Sequence, residues 1–190
     1  ILIVHSKQDE EDFISKGYGI ERKNLMYNDF VIIGPKHDPL KLKDSISLQR
    51  VILEILQGSE KFISRGDDSG THKAEIRIWT NVQKDFDNFK KNNLYLETGQ
   101  GMGATLNIAI GLNAYTFADR ATWINFKNKQ NHIIIYENDS LLKNQYGIIL
   151  VSNKKCKNIN TKSSRIFYDW ILSSEGKKLI HNYRINNYQL

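Results

Sequence analysis

The sequence predicts an α/β fold in which mainly parallel sheets are flanked by helices. Short apolar runs alternate with segments whose apolar residues recur near a period of 3.6, the pattern of strands feeding amphipathic helices. Two polar, glycine-rich loops, residues 64–71 and 98–103, each follow a short apolar run and open a helical pattern. An apolar fraction of 40% with 11% aromatics and only two prolines supplies a core and excludes disordered or collagen-like classes.

Ile1 to His5 reads as a buried strand. With no initiator Met and no charged leader before it, the chain reads as a piece that begins inside its fold, so any targeting segment would lie upstream. Asp9 to Lys16 is a short helix ended by Gly17 and Gly19. Phe30 to Ile33 is a strand stopped by Gly34-Pro35. From Asp44 to Leu56 the residues Ile46, Leu48, Val51, Ile52, Ile55 and Leu56 form one apolar face, with Asp44 or Ser45 as N-cap and Gly58 as stop. Lys61 to Ile63 is a strand that delivers the chain to the first glycine loop. One helix follows through Trp79 and another from Val82 to Phe89.

The alternation then repeats. Tyr95 to Glu97 is extended, and the second loop opens a helix built on Leu106, Ile108, Ala109 and Leu112. Tyr115 to Phe117 is extended, Asp119 caps a helix around Trp123, and His132 to Tyr136 and Tyr146 to Val151 are strands. Two amphipathic helices between Arg165 and Arg184 are separated by Ser173 to Gly176. Trp79, Trp123 and Trp170 lie at helix-periodic positions and are expected in the core.

Charge bounds the partners. There are 27 Lys and Arg against 21 Asp and Glu, a net +6, but they scatter without aromatic interleaving, so a nucleic-acid platform is not expected. A weak general attraction for anions is. No apolar run approaches the roughly 20 residues that span a bilayer as a helix. The single Cys156, expected at the surface, excludes a disulfide framework and a thiolate zinc cluster, and no two of the five His have metal-ligand spacing.

The chemistry concentrates in the two loops. In open α/β sheets, ligands sit beyond the carboxyl ends of strands, where a helix N-terminus presents unpaired N–H groups and partial positive charge. In residues 64–71, Ser64, Ser69 and Thr71 offer hydroxyls, Gly70 a close N–H, and Arg65 a fork of donors matched to a tetrahedral oxyanion. An equally good reading is a capped helix start, with Ser69 or Thr71 as the cap and Arg65 paired to Asp67. Asp67 and Asp68 oppose an anion unless they point away, pair with Arg65 or His72, or accept a proton from the ligand. Only hydrogen phosphate could supply that proton; tungstate, molybdate and sulfate could not. The second loop lacks the Gly-Lys-Ser/Thr of a P-loop and the later acidic residue of a dinucleotide site. Gly99, Gly101 and Gly103 either pack a helix start tightly or let the backbone meet a ligand, with Thr98 and Gln100 as donors. His72, three residues after Ser69, leaves a hydrolase pair conceivable.

Four stretches occur in the order and near the spacing of one family: Met26-Tyr27-Asn28-Asp29-Phe30-Val31-Ile32-Ile33-Gly34-Pro35, Ser64-Arg65-Gly66-Asp67-Asp68-Ser69-Gly70-Thr71-His72, Glu97-Thr98-Gly99-Gln100-Gly101-Met102-Gly103-Ala104-Thr105-Leu106, and Tyr115-Thr116-Phe117-Ala118-Asp119-Arg120. On them the whole chain resembles the tungstate-binding proteins of bacterial and archaeal ABC importers, of the type II periplasmic binding protein fold. The resemblance implies two α/β lobes, residues 1–30 with 148–190 and residues 31–147, the first lobe lacking its first strand and helix. It implies a site for tungstate, with molybdate the other candidate, formed by Ser64, Arg65, Ser69, Gly70, Thr71, Thr98, Gly101 and Asp119, with Arg65 the charged contact. A Thr/Ser-rich loop of that family is not in this sequence, and Ala118 and Ala121 stand where Thr and Gly are usual. The resemblance further implies a monomer in the periplasm, free or anchored to the membrane. It would have no cofactor and no catalysis, and would deliver its anion to a membrane permease. An oxyanion-sensing effector domain of a transcription regulator is the alternative.

Overall fold

The computed structural model describes residues 1–82 and 86–189. After β1 (Leu2–Val4) and α1 (Lys7–Ser15), Gly17 turns the chain at φ +76°, a left-handed conformation that glycine takes without a Cβ penalty. β2 (Gly19–Pro35) is the first departure from expectation, since the strand predicted at 30–33 begins at Gly19. Its first half is partly exposed and mixes Glu21, Arg22 and Lys23 with apolar residues, so only the buried second half reads as an apolar run. α2 (Leu48–Gln57) is capped by Ser47, whose hydroxyl accepts from Arg50 N at 3.3 Å, and not by Asp44 or Ser45. A 3-10 turn at Leu42–Asp44 delays the helix, and Ile46, expected in the core, is 95% exposed.

β3 (Phe62–Ser64), α3 (Gly70–Val82) and α4 (Phe86–Lys90) follow. Of the helix expected from Val82 to Phe89, residues 83–85 lie outside the described residues. Next come β4 (Tyr95–Glu97), α5 (Met102–Gly111), β5 (Tyr115–Asp119), α6 (Arg120–Asn125), β6 (His132–Tyr136) and β7 (Lys143–Val151). α7 (Thr161–Leu172) and α8 (Ser174–Asn182) are divided at Ser173, whose hydroxyl caps α8, and β8 (Arg184–Ile185) and β9 (Tyr188–Gln189) close the described chain.

Contacts divide the chain into two compact units, Ile1–Asn28 with Asn144–Leu190, and Asp29–Lys143, where the sequence had placed boundaries at 30/31 and 147/148. In the first unit β1 runs antiparallel to β7, Leu2 facing Ile149, and Ile148, Leu150 and Tyr168 form the core. Glu10, 2% exposed, accepts from Arg22 Nε at 2.6 Å. Gly147 admits that pair, since a Cβ there would lie 2.1 Å from Glu10 Oε2. Trp170, expected in the core, is 39% exposed.

In the second unit β3 lies between β4 and β5 and parallel to both, whereas β2 runs antiparallel to β5 and β6. The fold is α/β as expected; in the second unit the parallel pairs are β5–β3 and β3–β4, while β2 is a single long strand that runs antiparallel to β5 and β6. One core joins the apolar face of α2 to Phe62, Trp79, Phe86, Phe89 and Tyr95; a second gathers Val31, Ile33, Met102, Leu106 and Trp123. Trp79 and Trp123 therefore hold the core positions predicted for them.

Candidate functional site

Because β3 and β4 are parallel neighbours, with Ser64 beside Glu97, the two glycine loops leave the same edge of the sheet. Their backbones are laced together. Thr98 N donates to Ser64 O at 3.0 Å and Gly99 N to Arg65 O at 2.8 Å. The Thr98 hydroxyl donates to Arg65 O at 3.2 Å, lies 2.9 Å from the Thr105 hydroxyl and accepts from Gln100 N. Thr98 thus ties the loops together instead of offering a spare donor. Gly66 at φ +59° makes the approach possible, since a Cβ there would lie 2.5 Å from Glu97 Cβ.

In the first loop both readings of the sequence hold in part. Arg65 is held by Asp67, through Nε at 3.1 Å and through Nη2, while Asp67 Oδ1 accepts from Ser69 N at 3.2 Å. Burial alone would raise the Asp67 pKa, but hydrogen bonds from Ser69 and Arg65 hold it below the usual carboxylate value. Asp68 takes φ +58°, its carboxylate is largely exposed, and it lies 3.9 Å from Lys73 Nζ. The Ser69 hydroxyl accepts from His72 N at 3.3 Å as the cap of α3. His72 Nδ1 accepts from Asp68 N at 3.0 Å, so its proton sits on Nε2, which is 3.7 Å from Glu97 Oε1. The Ser69 hydroxyl therefore meets the His72 amide and not its imidazole, and the nucleophile–base pair weighed for a hydrolase is not formed.

Two expected contacts are corrected. Ser64 is 1% exposed and donates its hydroxyl hydrogen to Glu75 Oε2 at 2.8 Å, so it is not a spare donor while Glu75 is ionised. Asp119 accepts from Thr122 N at 2.8 Å and Thr122 Oγ1 at 2.7 Å as the cap of α6; both carboxylate oxygens are engaged, and the group has no hydrogen to give an anion. Arg120 beside it is bound to Asp29 and Glu137, at 2.7 Å and 2.6 Å.

The second loop is roomier than tight packing would require. A Cβ built on Gly99, Gly101 or Gly103 meets nothing within 4 Å among the described residues. Gly101 caps α5 with no side chain, leaving the first-turn N–H groups facing that space. Arg65 Nη1, the Thr71 hydroxyl hydrogen and the amides of Gly70 and Thr71 at the start of α3 likewise have no acceptor among the described residues, whereas the Ser69 hydroxyl is shared between His72 N and the Asp67 carboxylate. Unspent donors from two helix starts thus share one edge of the sheet, the arrangement that suits an anion.

Sequence reasoning missed Glu75. It is 2% exposed and accepts from Ser64, from Trp79 Nε1 at 2.9 Å and from Tyr95 Oη at 2.8 Å. Burial pushes its pKa up to about 7, against the pull of those bonds. The available signal was its spacing: Thr71, Glu75 and Trp79 stand at i, i+4 and i+8 on the buried face of α3.

A family model described as a PBP superfamily domain matches residues 1–175. The tungstate-binding protein TupA of Peptoclostridium acidaminophilum is 44% identical over 190 residues, covering 99% of this chain and 65% of that protein. The protein of the same name from Campylobacter jejuni is 36% identical, covering 98% of this chain and 70% of its own length. Among solved structures, the tungstate-binding protein TupA from Desulfovibrio alaskensis G20 superposes with a TM-score of 0.89 at 35% identity, covering 100% of this chain and 76% of that one. The chain thus spans about two thirds of the length of the curated relatives it matches.

Proposed function

Because the chain belongs to the PBP superfamily, in the family of the tungstate-binding proteins, we propose that it captures a tetrahedral oxyanion, tungstate foremost and molybdate second. The protein it belongs to would act outside the cytoplasm, as a monomer that hands the anion to the membrane permease of an ABC importer, making and breaking no bond. The observation that carries the reading is the open space over Gly99, Gly101 and Gly103 beside a loop that holds Arg65, Ser69, Gly70 and Thr71. Arg65 and the amides supply charge-assisted bonds, and the hydroxyls of Ser69 and Thr71 add neutral ones.

Selectivity follows from what the carboxylates are already doing. Hydrogen phosphate brings a proton that needs an acceptor, but Asp67 is spent on Arg65 and Ser69, and its lowered pKa keeps it from taking a proton itself. A fully ionised dianion makes no such demand. Titration calorimetry of the chain with sodium tungstate, molybdate, sulfate and phosphate tests this: tungstate binds most tightly and phosphate weakly. Arg65→Ala weakens tungstate binding about 10- to 150-fold, the equivalent of about 1.5–3 kcal/mol for a hydrogen bond to a charged group. Phosphate binding as tightly as tungstate sinks the selectivity argument; an unchanged affinity in Arg65→Ala sinks the assignment of the site.

A further inference from the structure

We propose that Glu75 is a positioning residue that sets the Ser64 hydroxyl for anion capture: ionised, it holds the Ser64 hydrogen; protonated, it releases that hydrogen, so binding an oxyanion takes up a proton. This rests on the oxyanion reading of the site.

The geometry fixes where the proton goes. Glu75 Oε1 accepts from Trp79 Nε1 and Tyr95 Oη, at 2.9 Å and 2.8 Å, and an indole N–H can only donate. A proton on the carboxyl therefore sits on Oε2, whose partner is Ser64 Oγ at 2.8 Å. Oε2 then donates, Ser64 Oγ accepts, and the single hydroxyl hydrogen of Ser64 is free to turn. Ser64 ends β3 immediately before Arg65, at the start of the loop that carries Ser69 and Thr71, and the proposal turns the freed hydrogen toward the anion held there. The Tyr95 hydroxyl is the competing acceptor, but a dianion accepts more strongly than a phenol.

The surroundings favour such a switch. Burial and the nearby Glu97 carboxylate both work against ionised Glu75 and bring its pKa up to about 7. Glu97, at the end of β4, is itself flanked by Lys90 of α4 at 2.7 Å and His72 of α3 at 3.7 Å. Tyr95 on β4 stays neutral, its pKa raised first by burial and then by Glu75. On α2, which packs against α3, Arg50 and Glu54 pair with each other at the surface. On β5, which also packs against α3, the Tyr115 hydroxyl donates to Asp38 at 2.7 Å and Asp119 caps α6. Glu75 is thus the acid in direct contact with the Ser64 hydroxyl, and an arriving dianion favours its protonated form further.

The sign follows from linkage. If the anion-bound form carries a protonated Glu75, apparent affinity tracks the protonated fraction of the free protein and falls about 50-fold from pH 7 to pH 9. Calorimetry with sodium tungstate at both pH values, each in two buffers of different ionisation enthalpy, reads affinity and proton uptake together. In the wild-type chain the affinity falls by that factor and uptake approaches one proton at pH 9. In Glu75→Gln the amide oxygen keeps the Trp79 and Tyr95 donors, so the NH2 faces Ser64 and mimics the protonated acid. Affinity then no longer changes with pH and uptake disappears. Ser64→Ala, which creates no charge in the core, also abolishes uptake and serves if Glu75→Gln fails to fold by near-ultraviolet circular dichroism. Tungstate binding without uptake in the wild type overturns the role of Glu75 and leaves the oxyanion reading standing; uptake that persists in either variant overturns it too. No tungstate binding at any pH overturns the oxyanion reading, and this inference with it.

Discussion

Two glycines in the paired loops separate packing from binding when each is changed to alanine. At Gly66 the backbone stands at φ +59°, where a residue with a Cβ pays about 1–2 kcal/mol. The new Cβ would also lie 2.5 Å from Glu97 Cβ and 3.3 Å from Glu97 Cα, so a backbone atom and not only a flexible side chain must move. Overpacking of this kind costs about 1–3 kcal/mol, which gives a total of about 2–5 kcal/mol. For a chain of this size that lowers Tm by on the order of 10 °C. Gly101 is the opposite case. Its φ of −65° and ψ of 163° suit alanine, and nothing lies within 4 Å of the added methyl. Exchanging one N-cap that has no side-chain bond for another changes stability by less than about 1 kcal/mol. The methyl does, however, enter the space above the free amides of α5, and losing one bond from an amide to a charged ligand weakens binding by about 10- to 150-fold. Thermal unfolding and tungstate calorimetry on both variants check the contrast. Gly66→Ala as stable as wild type refutes the account of the loop contact, and Gly101→Ala binding tungstate with unchanged affinity refutes the placement of the anion over the second loop.

Asp119→Ala removes the cap of α6 and lowers stability by about 1 kcal/mol in urea unfolding. Its tungstate affinity stays at the wild-type value, because both carboxylate oxygens serve Thr122. His132 is 3% exposed, its Nε2 lies 3.2 Å from Ala114 O, and burial lowers its pKa below the ordinary 6.5. Folding therefore favours the neutral ring, the unfolded chain binds more protons below that value, and this contribution is present above about pH 6.5 and lost as pH falls through it. Glu75, with its raised pKa, pulls the other way over the same range, so the informative quantity is the wild-type value minus that of His132→Asn. That difference shrinks between pH 7.5 and 5.5 in urea titrations; a difference constant with pH removes His132 from the balance.

Much of the frame was legible because local chemistry decides it. The period-3.6 face of Val51, Ile52 and Ile55 fixes α2, and Gly58 ends it as expected. Ile46 misled because it falls in phase with that face, while a 3-10 turn, a tertiary choice anchored by Asp38 accepting from Lys43 N at 2.9 Å, takes the preceding residues out of the helix. The first half of β2 was hidden for a related reason: a half-exposed strand carries charges on its open face and looks like a loop to any search for apolar runs.

The site was legible in a different sense. Sequence identifies donors by type, and Ser64, Arg65, Ser69, Thr71, Thr98 and the glycine amides are the donors that the two loops contain. It cannot say which of them are already used, because hydrogen-bond valence is settled by partners far along the chain: Thr98 by Arg65, Ser64 by Glu75. Once those bonds are drawn, the hydroxyls of Thr98 and Ser64 are spent, that of Ser69 is shared between His72 N and Asp67, and that of Thr71 remains for a ligand. Ser64 is spent only while Glu75 is charged. A buried residue that the sequence reading passed over thereby decides how many donors the anion meets, because a carboxyl group is an acceptor that can take up a proton and donate in its turn.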